Sequence, residues 1–351
     1  LLFSSEDNSS PNYYNDSWGL IIGINKYTET IQLNYAVEDA EDISTLLIKS
    51  FDFPKENIQM LLDEEATLMN IKKAFKDLSD KTKKGDRVII YFAGHGETDA
   101  LATGGERGYL LPVDGDKDDL YLTSLPMDEV KNFSTMTAAK DVLFLMDACY
   151  SGLLGMTGTR GFDEKRNYSL EKIAKGGSRQ VITAGRKGEV SIEKAEWGHS
   201  AFAKNLIKGL EDGMADYDDD GIITGTELGL YLTNKVTQDS EGRQTPNSAR
   251  FTNDEGEFVF VNVIDRVENL TIDTVENLTI NNAQAIQTGD NSSSSVITIT
   301  EEGAVLIDSS FFNSDREIPK WLGAGLQTMF KGMNSVTDTT KSFGDNYDDG
   351  F

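Results

Sequence analysis

The strongest constraint on this chain is a rhythm of short apolar runs, each stopping at glycine or another small residue, separated by stretches of helical period. The runs are WGLIIGINKY (18–27), NIQMLLDEEAT (57–67), RVIIYFAGHG (87–96), DVLFLMDACYSG (141–152) and RQVITAG (179–185). Short apolar runs bounded by turn residues read as buried strands. Between them, 34–51 carries Val37, Ile43, Leu46 and Leu47 on one side of a helix. Residues 68–82 form a second amphipathic stretch stopped by KKGD, 126–138 a third, and 199–213 a fourth with Phe202, Leu206, Ile207 and Leu210 in register. Strands alternating with helices predict a mainly parallel sheet covered on both faces, an α/β architecture. In such sheets functional groups collect beyond the carboxyl ends of the strands. Two of these ends carry chemistry: Gly94-His95-Gly96 and Asp147-Ala148-Cys149.

Cys149 is the single cysteine in 351 residues, so the chain has no internal disulfide. A free thiol of pKa about 8.5 is mostly protonated at neutral pH and attacks a carbonyl only as thiolate. A nearby imidazole promotes the thiolate and later protonates a leaving amine. Glycines beside both residues let a substrate backbone approach and leave N–H groups for an oxyanion. The competing reading is a buried structural thiol and an unrelated loop histidine. Placement at two strand ends favours the reactive pair.

YFAGHG followed by DACYSG resembles the caspase-like cysteine peptidases of family C14, especially their metacaspase and bacterial branch. LIIGINKY, LNYAVEDAEDI, GYLLPVD, VITAGRKGEVSIE, GHSAFAKNLIKGL and GRQTP follow in the expected order. The resemblance covers roughly 18–262 and implies a caspase-haemoglobinase-like three-layer sandwich. It implies a cysteine endopeptidase with His95 as general base and acid and Cys149 as nucleophile. The backbone N–H groups of Gly96 and Cys149 would form the oxyanion hole.

Asp147 stands where animal caspases carry the glutamine of Gln-Ala-Cys. An acidic group there pairs with a cationic P1 side chain and repels an acidic one. The S1 pocket of metacaspases is similar, with a second aspartate in an Asn-Asp-Ala motif. Asp39 matches it, Glu38 replaces the asparagine, and Ala36 and Ala93 stand where metacaspases often have Cys and Ser. The expected substrates are proteins or peptides with Arg or Lys at P1, Arg preferred because its fork suits two carboxylates. The loop 153–178 carries Arg160, Lys165 and Arg166 as candidate self-cleavage sites, an uncut surface loop being the alternative.

DYDDDGIITGTE (216–227) follows the EF-hand ligand pattern, with Asp216, Asp218, Asp220, Thr224 and Glu227 as side-chain candidates. Gly221 takes the sharp bend and Ile222 offers a backbone carbonyl. Calcium is expected here, although the chemistry requires no cofactor; the alternative is a metal-free turn capping the next helix. DGDKDD (114–119) is acidic in the region of the activating calcium site of metacaspases, but without ligand spacing.

The expected domains are a flexible lead-in (1–17) and a peptidase domain (18–263) whose large part ends near 152 and whose small part is 179–263. A β-prone extension (264–310) and an amphipathic helix with acidic tail (311–351) follow. EFVFVNVI (257–264) is expected to close the domain as an edge strand. VENLTI occurs at 267–272 and again at 275–280, and 286–289 faintly resembles amyloid-type signalling motifs; a small hairpin packed on the domain is favoured. IPKWLGAGLQTMFKGM (318–333) presents Trp321, Leu322, Leu326, Met329 and Phe330, so 264–333 is a candidate region for partner or self-association. A net charge of −26 argues against nucleic acid. No run approaches the roughly 20 apolar residues of a membrane span. A soluble, cytoplasmic protein is expected, with periplasmic or secreted forms open because the chain begins at Leu1. The functional alternatives are a catalytically idle scaffold or a calcium-responsive interaction module.

Overall fold

The apolar runs become neighbouring strands because Val, Ile, Leu and Phe on both sides of each strand can be buried only between two layers of helix. The computed structural model describes residues 13–148, 176–186, 188–189 and 191–262, with the backbone of 297–299 and 305–307. In chain order the first elements are β1 (Ser17–Gly23), α1 (Ala36–Ser50), β2 (Ile58–Leu62), α2 (Leu68–Lys81), β3 (Arg87–Ala93), β4 (Gly96–Ala100) and β5 (Glu106–Leu110). Then come α3 (Leu120–Thr123), β6 (Leu125–Pro126), α4 (Met127–Met136), β7 (Asp141–Asp147) and β8 (Ser178–Thr183). The remainder is β9 (Glu193–Lys194), β10 (His199–Ser200), α5 (Ala201–Glu211), β11 (Ile222–Thr224), α6 (Gly225–Asp239), β12 (Asn247–Arg250) and β13 (Val259–Val261).

The main sheet runs β12-β8-β7-β3-β1-β2. Its pairings are parallel except that of β12 with β8. Side chains alternate along β3: Val88, Ile90 and Phe92 join Phe75, Leu78, Val130 and Phe133 from α2 and α4. Ile89, Tyr91 and Ala93 join Ala40, Leu47, Phe202, Leu206, Leu228 and Leu232 from α1, α5 and α6. Three layers result. Each large apolar side chain so buried is worth about 1.5–3 kcal/mol.

Gly23 fixes the seat of α1. A Cβ there would lie 2.4 Å from the Ala36 carbonyl oxygen and 2.7 Å from the Ala40 Cβ. The small residues let α1 lie close to β1, which sets the depth of Asp39 one turn further on.

Three features depart from the sequence expectations. The polar stretch after His95, which has no place among the apolar runs, forms the hairpin β4–β5, whose tip turns at Gly104 and Gly105 with φ of 87° and 90°. Its first strand is largely exposed and carries no apolar period to read, while the second buries Tyr109 and Leu110. The closing strand β13 pairs with β11, while the edge of the main sheet is the polar β12. Tyr14, expected in a flexible lead-in, is buried and accepts a hydrogen bond from Val259 N at 2.9 Å. In the C-terminal unit (282–351), Ile297–Ile299 and Val305–Ile307 pair antiparallel. The VENLTI repeats, 286–289 and 318–333 lie outside the described residues.

Candidate active site

β3 and β7 are adjacent and in register to their ends, Ala93 opposite Asp147. The Gly94 N–H donates to the Asp147 carbonyl at 3.2 Å, so the strands leave the sheet level with each other. Gly94 is required here, since a Cβ would meet the Tyr27 hydroxyl at 2.4 Å. That hydroxyl accepts from His95 N at 2.7 Å and donates to the Leu111 carbonyl at 3.2 Å. The Tyr27 and His95 rings lie 4.6 Å apart. Buried Tyr27 therefore fixes both backbone and ring of the histidine. His95 Nε2 lies 2.6 Å from the Ile31 carbonyl oxygen. A carbonyl only accepts, so the proton is on Nε2 and Nδ1 carries the basic lone pair. Cys149, Arg160, Lys165 and Arg166 lie outside the described residues.

Leu111 N donates to the His95 carbonyl at 2.9 Å. By the alternation of an antiparallel ladder, Gly96 opposite Leu110 takes a non-hydrogen-bonded position, its N–H directed away from β5. β4 is the edge strand of its small sheet, so this N–H faces outward.

Asp39 and Asp147 meet on the α1 side of the sheet, at 1% and 4% exposure. Ser200, the residue before α5, joins them. Its N–H donates to Asp39 Oδ2 at 3.2 Å and its hydroxyl to Asp147 Oδ2. The same oxygen accepts from Ala203 N at 2.9 Å and so caps α5. Ser191 donates to Asp147 Oδ1 at 2.9 Å, and His199 Nδ1 lies 2.7 Å from Asp39 Oδ1. Burial, then the Asp39 charge, pushes Asp147 up to about 7 despite the two serines. Burial likewise raises Asp39, with the His199 and Ser200 hydrogen bonds opposing it. Tyr91 lies beneath; burial, then the charges of Asp147 and Asp39, holds its hydroxyl well above the ordinary phenol range. Such a pair is short of positive charge and would be returned to the ionised state by a cation. Ala36 and Ala93 are both buried on the same side.

A sequence model of the caspase domain of peptidase family C14 matches residues 16–255, spanning both motif strands and the carboxylate pair. This chain belongs to that family. It is 26% identical over 249 residues to Metacaspase-1A of Aspergillus oryzae, covering 66% of this chain and 56% of the relative. It is 28% identical over 145 residues to Metacaspase-6 of Arabidopsis thaliana, covering 38% and 37%. The chain thus spans between 37% and 56% of the length of these relatives. Caspase-1 of Spodoptera frugiperda superposes with a TM-score of 0.46 at 13% identity, covering 74% of this chain and 97% of that one. A Geobacter sulfurreducens protein superposes at 0.48 and 17%, covering 67% and 93%.

Elsewhere in the caspase domain, Asp216, Asp218 and Glu227 bring carboxylate oxygens within 4.8 Å of one another. Asp216 accepts from Gly221 N at 2.8 Å, with Gly221 at φ 79°. Asp220 turns to Ile222 N at 2.8 Å. Thr224 and Glu227 form a capping box at the start of α6. Burial raises both Asp220 and Glu227. A set of hard oxygens fits calcium; Glu227 Oε2 accepts from both the N–H and the hydroxyl of Thr224 and Oε1 from Tyr217 N, so a lone pair on Oε1 is left for the ion. In the 114–119 cluster the acidic groups do local work: Asp114 accepts from Leu68 N at 2.9 Å and Asp119 from Leu122 N. Among the described residues, no helix is long and apolar enough to cross a membrane.

Several site groups were not found from sequence. The Ile31 carbonyl is backbone and leaves no mark in the chain's letters. Tyr27 lies in LIIGINKY, but its contact with His95 is tertiary. Ser200 had a readable signal as a helix N-cap; its bond to Asp147 did not.

Proposed function

We propose that this caspase domain is a cysteine endopeptidase cleaving after Arg or Lys. The observation that carries the reading is the level ending of β3 and β7, with His95 following one strand and Cys149 two residues beyond the other. His95 Nδ1 takes the proton of the Cys149 thiol, and the thiolate attacks the carbonyl carbon of the P1 residue. The resulting oxyanion accepts from the N–H groups of Gly96 and Cys149. The imidazolium protonates the departing amine, and water then cleaves the thioester. The Ile31 carbonyl keeps the His95 tautomer that this sequence needs. Asp39 and Asp147 bind the P1 cation, whose charge relieves their mutual repulsion.

Fluorogenic peptides ending in Arg, Lys or Asp test this, with and without chelator. We expect Arg to lead, Lys to follow and Asp to be refused. Cys149→Ala should abolish turnover while leaving the melting curve intact. Preference for Asp would overturn the pocket, equal turnover by Cys149→Ala would remove Cys149 as nucleophile, and no turnover by the wild type would leave an idle scaffold. The reading extends to self-processing at Arg160, Lys165 or Arg166, and to calcium held by Asp216, Asp218, Asp220, the Ile222 carbonyl, Thr224 and Glu227. Its role there would be to neutralise the loop, with no part in peptide cleavage.

A further inference from the structure

Asp39, half of the proposed pocket, already has a partner. His199 Nδ1 lies 2.7 Å from Asp39 Oδ1, and Nε2 lies 3.6 Å from Asp42 Oδ2. The ring is 21% exposed, with Asp39 beneath it and Asp42 at the surface. Glu38 also faces it from α1. Across the β9–β10 ladder stands Lys194, whose ammonium lies 4.2 Å from the centre of the Trp197 ring and 3.8 Å from Glu196. Lys204 of α5 approaches the same ring but pairs with Asp239 at 2.6 Å. Glu193 accepts from Asn34 Nδ2 at 3.1 Å, and its charge reaches both Asp39 and Asp147. Behind Asp39 lie Asp147 and Tyr91. Acidic groups therefore dominate the surroundings of the ring. The hydrogen bond to Asp39 raises the imidazole; burial opposes this, and the charges of Asp39, Asp42 and Glu38 add to it.

We propose that His199 is a specificity-determining residue: its imidazolium is the resident counter-ion of Asp39, and a basic P1 side chain gains that carboxylate only in competition with it. The inference rests on the peptidase reading only for the identity of the incoming cation. Neutral His199 still donates Nδ1–H to Asp39, so the geometry survives deprotonation and only the charge changes. Below the titration of His199, Asp39 is already neutralised and a guanidinium gains little. Above it, the guanidinium meets an uncompensated carboxylate. Binding of a basic P1 must then lower the affinity of His199 for its proton, because linkage is reciprocal. Asp147 titrates in a neighbouring range, so an acid limb of activity has two sources and only the imidazole signal isolates this one.

The chain has two histidines, His95 and His199, so histidine-labelled protein gives two imidazole signals by NMR. His199→Gln assigns them, and His95→Gln does so independently. In a Cys149→Ala background, the His199 signal is followed against pH with and without an arginine-terminated peptide. The midpoint should fall by about one unit when peptide binds, a coupling of about tenfold. In the active enzyme, KM for Arg peptides should rise about tenfold between pH about 8.5 and about 6.5, a window above the ordinary imidazole midpoint because Asp39 raises that of His199. His199→Gln should remove much of that rise, and His199→Lys, a cation at both pH values, should keep KM high throughout. kcat at saturation should follow His199 in neither variant. An unmoved His199 midpoint, or superimposable KM profiles for wild type and His199→Gln, overturns the proposal. If Arg peptides are cleaved while the midpoint stays fixed, this inference fails and the peptidase reading stands. Absence of any peptide turnover sinks the peptidase reading, and an unmoved midpoint then sinks this one as well.

Discussion

Asp147 shows what deep burial beside a second carboxylate asks of a single residue. Burial and the neighbouring Asp39 push it up to about 7, whereas an unfolded aspartate releases its proton near about 3.9. The native state thus holds a proton that the unfolded chain has lost across this window. Its contribution to stability is present below the lower value and is lost as pH rises through the upper one. Burial raises Asp39 in the same direction. We therefore expect the wild-type melting temperature to decline from pH about 4 to about 7 relative to Asp147→Asn, and the two curves to run parallel above that. Calorimetric melts across that range measure it, and a difference of opposite slope would mean that Asp147 stays ionised. The same substitution should reduce kcat/KM for Arg peptides at least about 30-fold, since losing one partner of a desolvated charge pair costs about 2–5 kcal/mol.

At the scale of elements, α1 carries Asp39 and is positioned by contacts at its start. Asn25 Oδ1 accepts from Ala36 N at 2.8 Å, and Glu193 accepts from the N–H of Asn34 at 3.2 Å. Gly23 lets the helix approach β1. Gly23→Ala should therefore cost roughly 1–3 kcal/mol by overpacking and raise KM for Arg peptides by shifting Asp39. Denaturant unfolding and steady-state kinetics check both; unchanged KM with lower stability would detach the helix seat from the pocket. The 216–227 loop is tied to β13 through β11, so a cation there should stabilise that corner more than it speeds turnover. Added calcium should raise the melting temperature of metal-stripped protein, the stabilisation reaching about 2.7 kcal/mol at a hundredfold excess over Kd. Glu227→Gln keeps the capping-box bonds and loses the charge, so it should weaken the effect without melting α6. No calorimetric heat and no thermal shift would leave the capped turn as the whole account.

For the molecule as a whole, the segment 153–178 joins β7, with its aspartate, to β8 at the heart of the sheet. A peptidase with the proposed preference for Arg and Lys would have substrates in its own chain there. Active protein should separate on a denaturing gel into a smaller N-terminal and a somewhat larger C-terminal piece, with Cys149→Ala staying intact. Replacing Arg160, Lys165 and Arg166 together by Gln should keep the active chain whole. Cutting that persists in Cys149→Ala would assign it to another protease.

The sequence alone determined the parallel sheet and the two chemical strand ends. Periodicity and glycine placement are local, and family motifs add the expectation of a His–Cys pair. It also brought Asp39 and Asp147 forward as partners, although they lie on a helix and a strand. The short polar strands escaped it: β4, β9, β10 and β12 bury too little to leave an apolar period. Tertiary structure decided the rest. It gave His95 its tautomer through the Ile31 carbonyl, joined two carboxylates through Ser200, and laid His199 against Asp39. These contacts depend on which backbone atoms and loops the folded sheet brings together, and a backbone oxygen has the same letter whether or not it faces a histidine. Charge, hydropathy and spacing mark candidates; only packing decides which of them share a proton.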